Sequence, residues 1–284
     1  MRLDGAVVVV TGASSGIGRA TARELGRAGA LVGLLGRDEA VLGAVAAELP
    51  AGRAVAVPAD VADAGSVARA ATVVTERLGP VEGWVNCAGV ALFGTVLDTP
   101  PEQTARVLEV NVGGCVHGAR AALPAMVERG GGVLVNVSSV LGIVPAPHLT
   151  AYSMSKAAVR TLSAGLRSEL RRAGVRGVHV CTVLPGAVDT PIWSVSANHT
   201  GRRVAPPPPV AAPERVARTI VARLRRPRAE TVAGGLPVRL LVAAHHLAPG
   251  PVQRLLGLVV GRWSLRGEGP APTPGALWEP VHHR

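Results

Sequence analysis

Ala6-Val7-Val8-Val9-Val10-Thr11-Gly12-Ala13-Ser14-Ser15-Gly16-Ile17-Gly18 is the stretch on which the fold turns. Five apolar residues run without a polar break into a turn rich in glycine, and Arg19 to Arg27 follow with helical spacing. An unbroken apolar run reads as a strand buried on both faces, since a half-exposed strand would alternate. Glycines let the backbone bend sharply and approach a pyrophosphate, which the amides and dipole of the helix N-terminus would hold. Thr11, Gly12, Ser14, Ser15, Gly16, Ile17 and Gly18 are therefore candidate dinucleotide-binding residues. The apolar run is too short for a secretory leader, and a cytoplasmic location is the expectation.

Outward from this unit, strand-like runs recur at residues 31–35, 54–57, 83–86, 133–137 and 178–184, with a last one at 229–233 and helix-length segments between them. That alternation predicts an α/β doubly wound parallel sheet, a Rossmann fold, in a single domain over residues 1–235. Ligands in such sheets bind at the carboxyl ends of the strands. Residues 236–263 hold two mainly apolar segments separated by Pro249-Gly250-Pro251 and predict a helical extension. Residues 264–284, rich in Gly and Pro, are expected to be disordered.

Charge is divided unevenly along the chain. Residues 1–189 carry 17 basic and 15 acidic side chains, whereas 190–284 carry 13 and 4, so most of the net +11 lies in the last third. Aromatic residues are 2% of the chain, too few for base-stacking platforms, and no nucleic-acid partner is expected. The basic, apolar extension suits peripheral contact with anionic lipid, a cover for the substrate cleft, or a subunit interface. Cys87, Cys115 and Cys181 are odd in number and widely spaced, which argues against a disulfide framework and a thiolate metal site. His245-His246 and His282-His283 are adjacent pairs that lack ligand spacing, so no metal is expected.

Tyr152-Ser153-Met154-Ser155-Lys156 carries the chemistry. Residues four apart share a helix face, so phenol and ammonium project together. A free phenol titrates at about 10, and a fixed cation beside it favours phenolate. Tyr152 is the only tyrosine, and Lys156 the only lysine among 30 Lys and Arg residues, which points to a role specific to an amine. Asn136-Val137-Ser138-Ser139 closes the fifth strand at the ligand-binding end, and Asn111 lies on the helix that starts near Pro101.

The TGxxxGxG turn, Asp60-Val61, Asn86-Cys87-Ala88-Gly89, Asn111, Ser139, the YxxxK pair and Pro185-Gly186 with Val188 and Thr190 together resemble the compact branch of the short-chain dehydrogenase/reductase family. The resemblance covers residues 1 to about 235, and the turn spacing differs from the TGxxGxxG of the branch that holds epimerases and dehydratases. It implies Asn111, Ser139, Tyr152 and Lys156 as the catalytic set, with Ser138 the alternative serine and a helix-capping or core role the alternative for Asn111. It implies cofactor contacts from the glycine turn, Asp60, Val61, Asn86, Ala88, Gly89, Tyr152, Lys156, Pro185, Gly186, Val188 and Thr190. Where NAD-preferring relatives carry an acid, this chain has Gly36 followed by Arg37. A guanidinium pairs with a 2′-phosphate, so NADP is the expected cofactor and NAD the alternative, unless Arg37 is a solvated arginine beside Asp38 and Glu39.

The expected reaction interconverts a carbonyl and an alcohol by hydride transfer. Leu92, Phe93, Ile143, Val144, Ile192 and Trp193, in loops flanking the motifs, predict a mainly apolar pocket for a hydrophobic small molecule. His148 lies close enough before Tyr152 to line that pocket. A reductase serving acyl carrier protein and a non-catalytic NADP-sensing regulator are the alternatives. The expected assembly is a homodimer or homotetramer.

Overall fold

The computed structural model describes residues 1–281. The chain opens with β1 (Val7–Thr11), α1 (Gly16–Arg27), β2 (Leu31–Gly36), α2 (Glu39–Ala47), β3 (Ala54–Pro58), α3 (Ala64–Leu78), β4 (Val81–Asn86) and the short β5 (Leu92–Phe93). Then come α4 (Pro101–Leu108), α5 (Gly114–Glu128), β6 (Gly132–Val137), α6 (Thr150–Arg172), β7 (Val178–Pro185) and α7 (Ile192–Val195). The two-residue strands β8 (Ala197–Asn198) and β9 (Arg203–Val204), α8 (Pro213–Arg225) and β10 (Glu230–Ala233) complete the body. The extension comprises α9 (Leu236–Leu247), α10 (Pro249–Val259) and β11 (Leu265–Arg266).

Seven parallel strands form the central sheet in the order β10-β7-β6-β4-β1-β2-β3. The doubly wound Rossmann architecture expected from the apolar runs is the one observed. Sequence order reverses between β1 and β4, which opens a crevice at their carboxyl ends. Every residue of β1 is buried, as a strand covered by helices on both faces must be. One layer of core joins Val8, Val10 and Val135 to Leu25 of α1 and Ile220 of α8, while the other joins Val9 and Leu134 to Val74 of α3 and Met126 of α5.

The extension is helical, as its apolar segments predicted, and it packs on the body by stripes. Val238 and Val242 of α9 sit on Val140 and Leu184, and Val252 and Leu256 of α10, with Val260 just beyond it, join Phe93, Val144 and Leu149. The opposite stripes carry Leu236, Leu240, Leu247, Leu255 and Leu258, all exposed. Among the described residues no helix is long and apolar enough to cross a membrane. Residues 265–281, where the Gly and Pro content predicted disorder, instead follow a defined path along residues 195–204. Main-chain bonds and two buried leucines, Leu265 and Leu277, hold them, and neither signal is visible in composition. Residues 282–284, with His282 and His283, lie outside the described residues.

Candidate active site

The turn after β1 is held shut by contacts only glycine permits. A Cβ on Gly12 would lie 2.7 Å from Ala88 Cα, and one on Gly18 would overlap the Gly12 carbonyl. Thr11 Oγ1 accepts from the Cys87 and Ala88 amides at 3.0 and 3.1 Å, which ties the ends of β1 and β4 together. Ser15, at the N-cap of α1, makes no side-chain cap bond, and no acid occupies the first turn. The helix N-terminus is thus open to an anion, and the cradle fits the pyrophosphate of a dinucleotide.

A cavity of about 370 Å³ runs from this cradle along the carboxyl ends of the strands. Arg37, Asp60 and Val61 line one end, Ala88 and Gly89 the middle, and Ser139, Tyr152, Lys156, Pro185, Gly186, Val188 and Thr190 the other. Of the expected catalytic and cofactor-binding residues, Thr11, Asn86 and Asn111 are not in the wall; of the apolar residues expected to line the substrate pocket, Ile192 and Trp193 are in it, whereas Leu92, Phe93, Ile143 and Val144 pack outside it in the apolar clusters. Asn86 accepts from Trp84 Nε1 at 2.8 Å and donates to Cys115 O at 3.2 Å and Asn136 Oδ1 at 2.8 Å. Asn136 in turn donates to Ser163 Oγ at 2.9 Å. This buried chain braces β4, β6, α5 and α6 together, so Asn86 shapes the site from behind instead of lining it.

Helix α6 places Tyr152 and Lys156 on the cavity side one turn apart. Lys156 is 5% exposed; its ammonium donates to Val137 O at 3.1 Å and lies 5.5 Å from the centre of the Tyr152 ring. The two serines at the end of β6 divide their work. Ser138 Oγ donates to Lys156 O at 2.7 Å and pins α6, whereas Ser139 Oγ accepts from Leu141 N at 3.1 Å, 3.5 Å from Pro185 O. Asn111 sits in a π turn, Glu109–Gly113, that breaks the helical run between α4 and α5. Its Oδ1 accepts from Val90 N at 2.8 Å, and its Nδ2 donates to Val90 O at 3.0 Å and Ser155 Oγ at 2.9 Å. Through Ser155, which donates to Tyr152 O at 2.7 Å, the asparagine reaches the turn of α6 between the tyrosine and the lysine.

The family profile described as "short chain dehydrogenase" matches residues 6–200. This chain belongs to the short-chain dehydrogenase family. It is 45% identical over 196 residues to the probable oxidoreductase EphD of Mycobacterium tuberculosis, covering 68% of this chain and 33% of EphD. The chain thus spans about a third of the length of that relative. A short-chain dehydrogenase/reductase from Burkholderia phymatum, solved in complex with NAD, superposes with a TM-score of 0.78 at 28% identity, covering 87% of this chain and 95% of that one. An alcohol dehydrogenase from Thermococcus sibiricus, complexed with 5-hydroxy-NADP, superposes with a TM-score of 0.70 at 27% identity, covering 80% and 95%.

In this short-chain dehydrogenase each end of the cavity carries a cation, Arg37 at one and Lys156 at the other. Arg37 donates to the carbonyls of Trp278 at 2.6 Å and Ala276 at 3.0 Å. Asp60 pairs with Arg106 at 2.8 Å and accepts from the Ala62 amide at 2.9 Å. Burial raises the Asp60 carboxyl, but those two donors outweigh it and hold the group below the ordinary carboxylate value. Beside Ala88, burial pushes the Cys87 thiol up to about 12, and that of Cys115 to about 11, so neither supplies a thiolate at neutral pH. No cluster of potential metal ligands occurs among the described residues. His148 is not in the cavity wall; it adopts φ +60° and its carbonyl accepts from Gly94 N at 2.9 Å.

Ala276, Leu277, Pro280 and Val281 also line the cavity, which no motif in the sequence announces. Nor did it place α10 on the substrate side, where Val252, Leu256 and Val260 meet the loop before Tyr152. The one signal in the sequence is the spacing of Val252, Leu256 and Val260, four apart on one helix face.

Proposed function

We propose that this chain is an NADP(H)-dependent oxidoreductase that interconverts a carbonyl and a secondary or primary alcohol on a hydrophobic small molecule. The observation that carries this reading is the single cavity shared by the glycine cradle, Arg37, Ser139, Tyr152 and Lys156. A bound nicotinamide supplies the hydride donor or acceptor. Gly12, Ser14 to Gly18, Asp60, Val61, Ala88 and Gly89 would hold the dinucleotide, with Val188 and Thr190 beside its reactive end. The absence of an acid at Gly36, with Arg37 next to it in the wall, favours a 2′-phosphorylated cofactor.

The proton chemistry falls to the chain itself. Ser139 Oγ donates to the substrate oxygen and stabilises the charge that develops there. Tyr152 gives or takes the proton at that oxygen, and the buried Lys156 ammonium fixes positive charge beside it. Asn111 positions this pair through Ser155 and keeps the proton path in register. Ile192 and Trp193 line the cavity, and Phe93, Val144, Leu149 and Leu256 form the buried apolar cluster behind them, which suits bulky ketones better than polyols.

The test is NADPH and NADH consumption against hydrophobic ketones, polyols and acyl thioesters by wild type and Tyr152→Phe. Mutant-sensitive turnover with NADPH on ketones supports the reading; turnover only on carrier-bound thioesters would move it to an acyl-carrier reductase. Tight dinucleotide binding without turnover on any substrate would make the protein a sensor.

We also infer that the outward stripes of α9 and α10 rest on anionic lipid. Between Glu230 and Glu268 the chain has no acid but carries Arg239, Arg254, Arg262 and Arg266, flanking exposed leucines. Flotation with anionic vesicles but not with neutral ones supports this, and failure to float with either removes it. We further propose a cytoplasmic protein, in keeping with its three free cysteines, that assembles as a homodimer or homotetramer, checked by light scattering.

A further inference from the structure

Beyond α10 the chain runs antiparallel to residues 195–204 as far as Ala276. Leu265 pairs with Val204, and Gly269 N donates to Gly201 O at 2.8 Å. Thr273 and Asn198 exchange main-chain bonds of 2.9 and 3.1 Å, and Ala276 N donates to Val195 O at 2.8 Å. These pairings form a loose ribbon whose register slips by two residues between Leu265 and Thr273. Gly275 has φ +51°, and a Cβ there would overlap the backbone of Val195 and Ser196, so the close approach demands glycine.

Past Gly275 the ribbon leaves the substrate side and crosses to the opposite end of the cavity. Leu277 is fully buried against Leu92, Val107 and Ala197. The carbonyls of Ala276 and Trp278 accept from Arg37, and that of Leu277 accepts from Arg106 Nε at 3.1 Å. Arg106 at the same time pairs with Asp60. Three successive carbonyls thus hold the two arginines that flank Asp60. A carbonyl fixes the plane of a guanidinium without cancelling its charge, as a carboxylate would, which leaves Arg37 attractive to a phosphate.

We propose that residues 269–281 are a strap belonging to the dinucleotide site: it closes over the adenosine end, orients Arg37 and slows release of the bound cofactor. This rests on the reading of the cavity as an NADP(H) site. The strap also ties residues 195–204, beside the substrate pocket, to the adenosine end, so both ends open together.

The test is release of bound NADPH, followed by fluorescence on displacement with excess NADP, for wild type and full-length Gly275→Val. Undocking Leu277 exposes one buried leucine, so the variant releases NADPH roughly tenfold faster, with a matching rise in Kd. Unchanged release from a folded variant, or tighter binding, overturns the strap and leaves the cofactor reading intact. If wild type binds neither NADPH nor NADH, the cofactor reading falls and the strap with it. Should Gly275→Val fail to fold, amide exchange of wild type decides: NADPH must slow exchange at residues 275–278, and no slowing overturns the proposal.

Discussion

The catalytic part of residues 1–235 depends on side chains whose identity matters, whereas residues 276–278 hold Arg37 and Arg106 with carbonyls that any amino acid would supply. In the body, an amine at Lys156 and a phenol at Tyr152 are held four residues apart on one helix face. In the extension, what counts is the path of the main chain and the burial of Leu277. The contrast teaches that one cavity can be built by two kinds of instruction. Substitutions of chemistry should damage the body most, and substitutions of shape should damage the extension.

The largest expected effect is that of Tyr152→Phe, which deletes one oxygen and leaves the ring packed. With its proton donor gone, turnover should fall by about 10²–10⁴-fold while dinucleotide Kd and Tm stay put. Loss of binding along with turnover would mean that the tyrosine acts by packing, and would blur the contrast between the two regions. Lys156→Arg follows. The chain uses arginine freely, yet Lys156 Nζ reaches Val137 O from a 5% exposed position beside the Ser138–Lys156 bond. A planar fork does not fit there, and activity should drop by roughly 100-fold despite conserved charge. Near wild-type turnover in Lys156→Arg would show that charge suffices and identity does not.

The same contrast explains what was legible in the sequence. Continuous apolar strands announced the parallel sheet because burial on both faces leaves no room for alternation, as all five residues of β1 illustrate. The glycine turn and the YxxxK pair were legible because steric closeness and helical periodicity each demand particular residues at particular spacing. Asn86 was half legible: its bracing of neighbouring strands is as expected, but its orientation away from the cavity depends on Trp84 and Asn136, which the sequence does not bring together. The strap was illegible. Gly269, Gly275 and the prolines around them read as disorder, because a main-chain ribbon stabilised by its partner strand has no composition of its own.

Stability offers the next way to sharpen the comparison. Leu25 is fully buried between α1 and the sheet, in the main core, and Leu277 is fully buried in the small cluster with Leu92 and Val107. Truncating either to alanine should fall within about 2–5 kcal/mol, with Leu25→Ala near the top and Leu277→Ala near the bottom, since a strap relaxes around a cavity more easily than a sheet does. Denaturant midpoints measure both. A cost below roughly 0.5 kcal/mol for Leu277→Ala would mean that the tail is not part of the folded unit.

The smallest effect concerns acid, and it should belong to the body alone. Glu48 accepts from Arg23 at 2.6 Å and pairs with Arg19, joining α1 to the end of α2. The hydrogen bond from Arg23 first, and that from Arg19 second, pull its carboxyl from 4.5 down to about 2. A carboxylate with a depressed folded-state pKa adds stability that is complete above its unfolded value and is lost as pH falls through the folded one. The Tm gap between wild type and Glu48→Gln should therefore be constant from pH 8 to about 5 and close as pH falls from 4.5 toward 2. Among the described residues no ion pair involves residues 236–281, so Gly275→Val should show the same closing gap when combined with Glu48→Gln. A gap that depends on the strap would couple the two regions through charge, and the division between side-chain and main-chain instruction would need redrawing.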